Sequence, residues 1–489
     1  MTTTPHPTDH PPRELEGTAY DVVVLGGGST GENVADYAHR GGLSVIVVEP
    51  ELVGGDCSYW ACMPSKALLR PVQALEAARS VEGAKQAVTG ELDASAVLAR
   101  RDSFTSGYDD ASQVSWLSDT GVALVRGTGR LVGEKRVEVT GPDGDTVELT
   151  ARHAVVLCTG TAASLPPVDG LDAVGAWTSR EATSAKVAPR RLAILGGGVV
   201  GVEMATAWKA LGAEQVTVLQ RGDRLLPASE PEVGERIAAA LRERGIDVRL
   251  DVEVTAARRD GDGPVRLTVG EDEVEADEVL VAAGRRPRTD EIGLETVGLE
   301  PGSYVETDDA LQVSGVEGGW LYAAGDCTGR ALLTHQGKYQ ARVCGTVIAA
   351  RAKGEPAEPA PWSAYAATAD AAAVPQVVFS EPQVASVGLT EAQAREKGLQ
   401  VVTSEYELGQ VAGAALLADG YDGWAKLVVD GQRKVVVGAT FLGPDVAELL
   451  HSATVAVVGE VPLDRLWHAV PAYPTLSEIW LRLLDQLER

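Results

Sequence analysis

The sequence predicts an α/β protein with two Rossmann-like dinucleotide-binding domains and a smaller α+β domain at the C-terminal end. Three observations predict this fold class. A pattern of strand, glycine turn, helix and strand begins near Tyr20, the same pattern recurs near Leu192, and shorter strands and helices follow a proline-containing segment that starts near residue 353. A chain of 489 residues is also long enough for about three domains with buried cores.

The composition is that of an ordinary globular protein, and it restricts the classes of partner. Hydrophobic residues make up 45% of the chain, charged residues make up 23%, and the formal net charge is −27. A charge of this sign argues against binding to nucleic acid or to anionic lipid. No apolar run reaches the roughly 18 residues that a membrane span needs. The chain has five cysteines and no apparent signal peptide, so we expect a reduced, cytoplasmic location.

The first dinucleotide-binding pattern begins with an apolar run at residues 20–25. A helical stretch follows, and a second apolar run at 45–48 ends in Glu49. The glycines of the turn between the first run and the helix are Gly26, Gly28 and Gly31. Such glycines let the backbone approach a pyrophosphate at a helix N-terminus, and Glu49 stands where a carboxylate would accept hydrogen bonds from ribose hydroxyls. The alternative is a glycine turn with a purely structural role.

The second copy of the pattern repeats the first between two further apolar runs. Its glycines are Gly196, Gly198 and Gly201. Gln220 stands at the position that matches Glu49, and two arginines, Arg221 and Arg224, follow it. A neutral side chain with nearby arginines favours the 2′-phosphate of NADPH, whereas a carboxylate would repel it. We therefore expect NADPH rather than NADH, unless these arginines are ordinary surface residues.

A cysteine pair follows the first pattern directly. Cys57 and Cys62 have four residues between them, and Lys66 follows the second cysteine. This spacing allows both thiols to face one side of a helical turn, where they can cycle between dithiol and disulfide with little backbone movement. The pair therefore predicts a redox site. The alternatives are a structural disulfide, half of a metal site or two buried thiols, but no second closely spaced pair is present to complete a zinc site, and we predict no metal.

Three further strand ends carry candidate cofactor contacts. Residues 122–157 alternate in short strand-like runs, which predicts a meander that closes the first domain, and Gly160 follows it. Gly284 follows another apolar run directly. Small residues lead a third apolar strand to Asp326, whose carboxylate can reach a ligand hydroxyl.

The order of these elements from about residue 20 resembles the flavin-dependent pyridine nucleotide–disulfide oxidoreductases, the family of dihydrolipoamide dehydrogenase, glutathione reductase and mercuric reductase. The implied FAD contacts are Gly26, Gly28, Gly31, Glu49, Lys66, Gly160 and Asp326, and the implied NADPH contacts are Gly196, Gly198, Gly201, Gln220, Arg221 and Gly284. The resemblance also implies that Cys57 is the interchange thiol and that Cys62 lies nearer the flavin. Lys66 would pair with Glu203 close to flavin N5.

Composition and the resemblance together divide the chain into segments. The predicted segments are a disordered tail at 1–18, the first part of an FAD-binding domain at 19–165, an NAD(P)H-binding domain at 166–289, the second part of the FAD-binding domain at 290–352, a linker at 353–364 and a dimerisation domain at 365–489. The tail is rich in Thr, Pro and His without apolar periodicity, and the linker carries three prolines.

The C-terminal segment departs from the family at one catalytic position. In the homodimers of this family, a His-Pro-Thr motif and a nearby Glu enter the partner's active site, and the matching residues here are Tyr473 and Glu478. An unperturbed Tyr has a pKa of about 10 and His about 6.5, so Tyr473 is a poor base near neutral pH but can donate a hydrogen bond. His468 is a candidate substitute. Mercuric reductases also carry a tyrosine near this point but add a C-terminal cysteine pair, whereas the last cysteine here is Cys344.

Two bulky residues between the cysteines, Tyr59 and Trp60, are a second departure, and they either pack in the core or shape an aromatic acceptor site. We expect an FAD-dependent NAD(P)H oxidoreductase in which NADPH reduces the Cys57–Cys62 disulfide through FAD, and the pair then reduces a small disulfide. The alternative is a reductase of quinones or similar acceptors that uses the flavin directly, which Tyr473, Tyr59 and Trp60 favour. The intact glycine motifs and cysteine pair argue against a third possibility, a non-catalytic complex subunit.

Overall fold

The computed structural model describes residues 5–11 and 15–487. Its α-helices are α1 (Ser29–Arg40), α2 (Gly55–Tyr59), α3 (Cys62–Arg79), α4 (Ala94–Phe104), α5 (Ala111–Asp119), α6 (Ser179–Ser184), α7 (Val199–Ala210), α8 (Pro231–Glu243), α9 (Thr334–Ala352), α10 (Ala369–Ala372), α11 (Glu391–Glu396), α12 (Ala412–Leu417), α13 (Leu450–Val458), α14 (Leu463–Leu466) and α15 (Ile479–Asp485). None of the helices in these described ranges has the length and apolar character needed to cross a membrane.

The β-strands are β1 (Ala19–Leu25), β2 (Val45–Glu49), β3 (Ala123–Arg126), β4 (Thr128–Gly133), β5 (Arg136–Thr140), β6 (Thr146–Leu157), β7 (Thr161–Ala163), β8 (Arg191–Leu195), β9 (Gln215–Leu219), β10 (Asp247–Arg249), β11 (Val254–Arg259), β12 (Val265–Val269), β13 (Asp272–Ala276), β14 (Glu278–Val281), β15 (Arg285–Pro287), β16 (Leu321–Ala323), β17 (Pro375–Val378), β18 (Gln383–Gly388), β19 (Val401–Glu407), β20 (Trp424–Asp430) and β21 (Val435–Gly443). They fall into two compact units of the chain. The first unit comprises the described residues up to Pro64, Asp102–Ser164 and Arg285–Ala371, and the second comprises Ser65–Arg101, Leu165–Gly284 and the described residues from Ala372.

The first unit is built around a seven-stranded sheet. Strands β3, β2, β1, β6 and β16 run in parallel, and their runs of Val, Ile and Leu are almost entirely buried. Such continuous apolar runs are typical of parallel strands that are covered on both faces. Helices α1 and α9 contact each other closely, and their apolar residues share a core with one face of the sheet. The carboxyl ends of β1, β2, β6 and β16 therefore meet at one edge, where ligands bind in open α/β sheets.

The meander predicted at 122–157 is only partly correct. Strands β4, β5 and β6 form the predicted antiparallel ladder. Strand β3, however, pairs in parallel with β2, and its residue Leu124 lies opposite Val47. An edge position on the parallel sheet buries the apolar side chains of β3, and this long-range pairing is not encoded in local alternation.

The second unit contains three sheets. A parallel sheet in the order β10, β9, β8, β14 carries the second glycine turn, and an antiparallel sheet is formed by β11, β12 and β13. The third sheet is antiparallel, in the order β17, β18, β21, β20, β19, and belongs to the predicted C-terminal α+β domain. Residues of α13 and α15 pack on this last sheet in a separate core.

Residues 65–101 fall in the second unit, although the sequence places them inside the first domain. The reason is packing, because Leu68, Leu69 and Val97 are buried in the same core as residues of β8 and α7. The sequence ends the NAD(P)H-binding domain at 289, and the third segment of the first unit begins at Arg285, where β15 pairs with β7.

Part of the predicted disordered tail is ordered on the first unit. The backbone N–H of Thr8 donates to Asp110 Oδ1 at 2.8 Å, and Arg126 donates from Nε to the Thr8 carbonyl at 2.8 Å and from its backbone N–H to the His10 carbonyl at 2.8 Å. Arg126 and Asp110 also form a buried ion pair. Composition alone missed this docking because the charged partners lie far away in the sequence. Residues 1–4 and 12–14 of the predicted tail lie outside the described residues.

Candidate active site

The first glycine turn links β1 to α1 and leaves room for a ligand. A Cβ on Gly31 would lie 1.8 Å from the Gly26 carbonyl oxygen, and one on Gly26, at φ +101°, would lie 2.4 Å from the Cys158 carbonyl oxygen. These two glycines are therefore required by the packing of the turn itself. At Gly28 the nearest atom to an added Cβ would be Gly55 Cα at 3.9 Å. The protein does not demand glycine there, which fits close approach of a bound pyrophosphate.

The second glycine turn, between β8 and α7, repeats this arrangement within the second unit. A Cβ on Gly201 would lie 2.1 Å from the Gly196 carbonyl oxygen, whereas one on Gly198 would meet no atom within 4 Å. The helix N-terminus behind each turn presents free N–H groups to an anion. The two turns therefore share one geometry, which is of the kind that suits dinucleotide phosphates.

One side chain braces each glycine turn. Glu49 accepts hydrogen bonds from the Gly27 N–H at 2.7 Å and from the Glu51 N–H at 2.8 Å. Gln220 Oε1 accepts from the Gly197 N–H at 2.8 Å, which is the matching bond. Burial raises the pKa of the Glu49 carboxyl, and the two backbone bonds oppose this. We call these contacts the turn braces. The sequence analysis assigned Glu49 to ribose hydroxyls and Gln220 to the 2′-phosphate side of NADPH, and it missed this structural role.

The residues after Gln220 are positioned differently from each other. Arg221 is exposed and makes no ion pair or hydrogen bond within residues 5–11 and 15–487. Arg224 is half-buried, and its Nη2 atom donates to the Pro227 carbonyl at 3.4 Å, while its buried Nε finds no partner among the described atoms. Arg221 is therefore free to meet a ligand phosphate, and Arg224 is held mainly by the loop.

The cysteine pair lies at a break between two helices. Cys57 is in α2, which ends at Tyr59, and Trp60 leaves the helical region at φ −134° before Cys62 begins α3. The thiols therefore do not share one helical turn, as the spacing suggested, but face each other across the break. The Gly54 N–H donates to the Gly27 carbonyl at 2.8 Å, which ties the start of α2 to the first glycine turn.

The electrostatic surroundings of the pair combine burial with one nearby cation. The Cys57 thiol has a raised pKa, first because of its hydrogen bond with Cys62 and then because of burial, while Thr334 and the charge of Lys338 lower it. The Cys62 sulfur lies 3.2 Å from Thr334 Oγ1. Helix α9 thus supplies a hydroxyl and an ammonium group to the thiols, and the sequence analysis identified neither residue. Their spacing of one helical turn on α9 was the available signal.

In the second unit, the structure brings Lys66 and Glu203 into direct contact. Lys66 Nζ lies 2.8 Å from Glu203 Oε2 and 3.1 Å from Oε1, and the Glu203 side chain is 4% exposed. The carboxylate also accepts from the Phe379 N–H at 2.9 Å, and Lys66 Nζ lies 5.0 Å from the centroid of the Phe379 ring. A buried carboxylate with two donors is a stable anchor that fixes the lysine ammonium group.

Asp326 follows β16 at the same edge of the sheet and belongs to a polar network. Thr161 Oγ1 donates to Asp326 Oδ2 at 2.9 Å, and Arg285 donates from Nε to Thr161 Oγ1 at 2.5 Å. The Arg285 guanidinium also lies 3.3 Å from Asp56, the residue before Cys57. Burial raises the pKa of Asp326, and Thr161 opposes this. Gly160, at φ +72°, lies directly before Thr161 in the sequence. Gly284, at φ +137°, lies directly before Arg285 and is the last residue of the segment Leu165–Gly284 of the second unit.

The C-terminal candidates lie on the surface of the second unit. Tyr473 is 78% exposed, and His468 is also exposed. Glu478 accepts from the Thr475 N–H at 3.2 Å and from the Gly413 N–H at 3.1 Å, so its carboxylate caps a short 3-10 turn. An exposed Tyr473 is available to a partner molecule. Its place in a partner's active site remains a prediction.

The bulky residues between the cysteines are core residues. Tyr59 is 1% and Trp60 4% exposed, and both pack with Leu52 and Tyr108. The Tyr59 hydroxyl donates to the Val53 carbonyl at 3.1 Å. Their burial supports the packing interpretation over an aromatic acceptor site. In the described part of the chain, no group of three or more His, Cys, Asp or Glu side chains is arranged to hold a metal ion.

Comparison with known proteins identifies the family. The model of the pyridine nucleotide-disulphide oxidoreductases matches residues 20–354, and the model of their dimerisation domain matches residues 374–483. The chain is 34% identical over 478 residues to dihydrolipoyl dehydrogenase 3 of Pseudomonas aeruginosa, covering 94% of this chain and 96% of that protein. It is 33% identical over 468 residues to the mercuric reductase of Streptomyces lividans, covering 94% of each.

Solved structures show the same fold. LpdA from Mycobacterium tuberculosis superposes with a TM-score of 0.81 at 26% identity, covering 97% of this chain and all of that one (100%). The HOCl-induced flavoprotein disulfide reductase RclA from Escherichia coli superposes with a TM-score of 0.81 at 23% identity, covering 96% and 100%. The family and fold class predicted from the sequence are confirmed. The chain belongs to the class I pyridine nucleotide-disulphide oxidoreductases, a family that depends on FAD and a pyridine nucleotide and whose dimerisation domain supports a homodimer.

Proposed function

We propose that this oxidoreductase uses NADPH, through FAD, to reduce a small-molecule disulfide at the Cys57–Cys62 pair. The observation that carries the proposal is the pair itself, in which the two sulfurs lie within hydrogen-bonding reach beside Thr334 and Lys338. A purely structural pair would not need a hydroxyl and an ammonium group aimed at its sulfurs.

The residues of the first unit fit FAD. The open space at Gly28, the half-buried N-terminus of α1, the buried carboxylate of Glu49 and the half-buried carboxylate of Asp326 provide phosphate and hydroxyl contacts of the required type. When bound, FAD supplies the two-electron relay between NADPH and the disulfide. We assign Lys66, held by Glu203, to the environment of the flavin ring, because a fixed ammonium group stabilises a reduced, anionic ring.

The thiols then act in a fixed order. The Cys57 thiolate attacks one sulfur of the substrate disulfide, the substrate S–S bond breaks, and the first product leaves as a thiolate that takes its proton from water. Cys62 attacks the resulting mixed disulfide at Cys57, which releases the second thiol and restores the Cys57–Cys62 disulfide. Lys338 favours the Cys57 thiolate through its positive charge. We assign Tyr473 of the partner subunit as the hydrogen-bond donor to the leaving thiol.

The preference for NADPH rests on the second turn brace. Gln220 uses its carbonyl oxygen on Gly197, so its NH₂ group, a donor, is the part left for other contacts. Arg221 is exposed and unpaired within the described ranges. A donor amide and a free guanidinium both favour a 2′-phosphate. The low cysteine content further leads us to propose a cytoplasmic location, which cell fractionation tests.

The test of the proposed function is Cys57→Ser. Removal of the attacking sulfur should lower turnover of every accepted disulfide by at least about 10³-fold. NADPH should still reduce the flavin, measured as loss of its visible absorbance in stopped flow. Ser58→Ala, one residue away on α2, is the matched control and should keep both steps. Undiminished turnover by Cys57→Ser, with quinones accepted as well, would show that electrons leave from the flavin directly and would overturn the proposal.

A further inference from the structure

A cavity of about 750 Å³ lies within the second unit, away from the glycine turns. We call it the Glu381 cavity. It is bounded by the C-terminal half of α3, by α7 and α8, and by the loops around Glu381, Tyr421 and Asp445. Small-molecule sites typically have volumes of about 300–1,000 Å³. The cavity is therefore large enough for a small organic ligand.

The carboxyl group of Glu381 lines this cavity without a protein partner. The residue is 9% exposed, and its side chain makes no hydrogen bond within the described residues. Buried carboxylates are normally paired, and an unpaired one calls for a missing partner. Burial raises the pKa of Glu381 to about 7; Glu76 and Asp445 add to this, and Arg244 opposes it.

The charges of the cavity wall favour a cation. Seven carboxylates and four basic side chains line it. Each basic side chain already has a partner. Three form ion pairs: Arg79 with Glu91 at 3.2 Å, Arg236 with Glu407 at 2.6 Å and Arg244 with Glu76 at 3.6 Å. Lys209 donates a hydrogen bond to the Glu214 carbonyl at 2.9 Å. Lys209 is held by a backbone carbonyl only, but the seven carboxylates outnumber the four basic groups by three, and this excess of negative charge disfavours an anionic ligand.

The ring of Tyr421 supplies an aromatic wall beside these carboxylates. Its hydroxyl donates to the Pro444 carbonyl at 2.7 Å, which fixes the ring, and the residue is 8% exposed. Burial and the negative charges of Asp445, Glu381 and Asp422 raise the pKa of this tyrosine. Carboxylates grouped around an aromatic ring form a favourable environment for an organic ammonium group.

We propose that the Glu381 cavity binds a small organic polyamine, with one ammonium group on Glu381 and Tyr421 and a second on another wall carboxylate. More than one ammonium group is expected because the carboxylates come from separate segments of the chain. Glu381 and Tyr421 are not part of the redox machinery. This inference stands or fails independently of the proposed reductase activity.

Calorimetric titration of the full-length, FAD-loaded protein with spermidine in about 0.15 M salt tests the proposal, since this salt screens diffuse attraction to an acidic chain. We expect saturable binding that is at least tenfold weaker in Glu381→Gln. Glu235→Gln, which removes an exposed charge elsewhere on α8, is the matched control and should bind as the parent does. Flavin reduction by NADPH reports that each variant is folded.

A pH series gives a second, independent readout. A carboxyl with a pKa near 7 is mostly charged at pH 8 and mostly neutral at pH 6, so affinity for spermidine should fall about tenfold between these values. The charged groups that face Glu381 are Glu76 on α3, Arg244 directly after α8 and Asp445 after β21. The fall should disappear in Glu381→Gln. The proposal would be overturned if spermidine did not bind saturably, or if Glu381→Gln and the control Glu235→Gln lost affinity equally. Binding of inorganic phosphate in place of spermidine would also overturn it.

Discussion

At the residue scale, the two glycine turns are held by the same kind of hydrogen bond. Glu49 and Gln220 each use one side-chain oxygen to hold a glycine N–H, at 2.7 and 2.8 Å. The second carboxylate oxygen of Glu49 accepts from the Glu51 N–H, whereas Gln220 keeps an NH₂ group. We predict that coenzyme choice at the second turn depends on this NH₂ group.

Gln220→Glu should change the coenzyme without loss of structure. Glutamate can keep the bond to Gly197 but places negative charge where Gln220 has a donor, so it repels a 2′-phosphate. We expect the NADPH-to-NADH ratio of kcat/KM to fall at least about tenfold. Gln215→Glu, which adds the same charge at the opposite end of β9, is the control and should leave the ratio unchanged. An unchanged ratio in Gln220→Glu would contradict this assignment.

At the element scale, the glycine turns show how far sequence reasoning reaches. The positions of β1, α1, β2, β8, α7 and β9 were predictable because each turn and its flanking runs are contiguous in the chain. The break between α2 and α3 was not, because the cysteine spacing equally suits one continuous helical turn. Thr334 and Lys338 were missed for a related reason, since only packing of α9 in the first unit brings them to the cysteines.

The packing of α1 on the first turn can be tested with Gly31→Ala. A Cβ there would overlap the Gly26 carbonyl at 1.8 Å, so β1 and α1 would have to separate. We expect a loss of about 1–3 kcal/mol in the free energy of unfolding, a lower Tm and loss of bound flavin. Gly17→Ala, where an added Cβ meets no atom within 4 Å, should match the parent in both measurements. Parental flavin content and Tm in Gly31→Ala would show that the turn can relax.

At the scale of the whole molecule, apolar surface on the dimerisation domain calls for a partner. Val455 and Val458 stand on one face of α13 and are 54% and 39% exposed, and Leu416, Val470 and Tyr473 are also exposed. Side chains one helical turn apart form a continuous stripe. The sequence predicted this domain because shorter strands and helices follow the proline-containing segment. Which of its residues face outward follows only from the packing of the third sheet.

A charged side chain on this stripe should impair disulfide reduction but not the reduction of the flavin by NADPH. Val455→Asp should shift the protein toward the monomer in sedimentation velocity, because a carboxylate cannot be buried there unpaired. Disulfide reduction should fall with the dimer population, since we assign the partner's Tyr473 to the leaving thiol, while NADPH should still reduce the flavin. Val187→Asp, at a valine that is 74% exposed outside the dimerisation domain, should remain dimeric. A fully active monomer would refute the shared site.

The two turn braces also bear on how a chain of this kind can diverge. The glycine turn in each unit is held by a bond that both a carboxylate and an amide can make. We therefore expect that a single exchange between these side chains alters which nucleotide is selected without unfolding the turn. Two copies of one binding module could then acquire different cofactors through single substitutions.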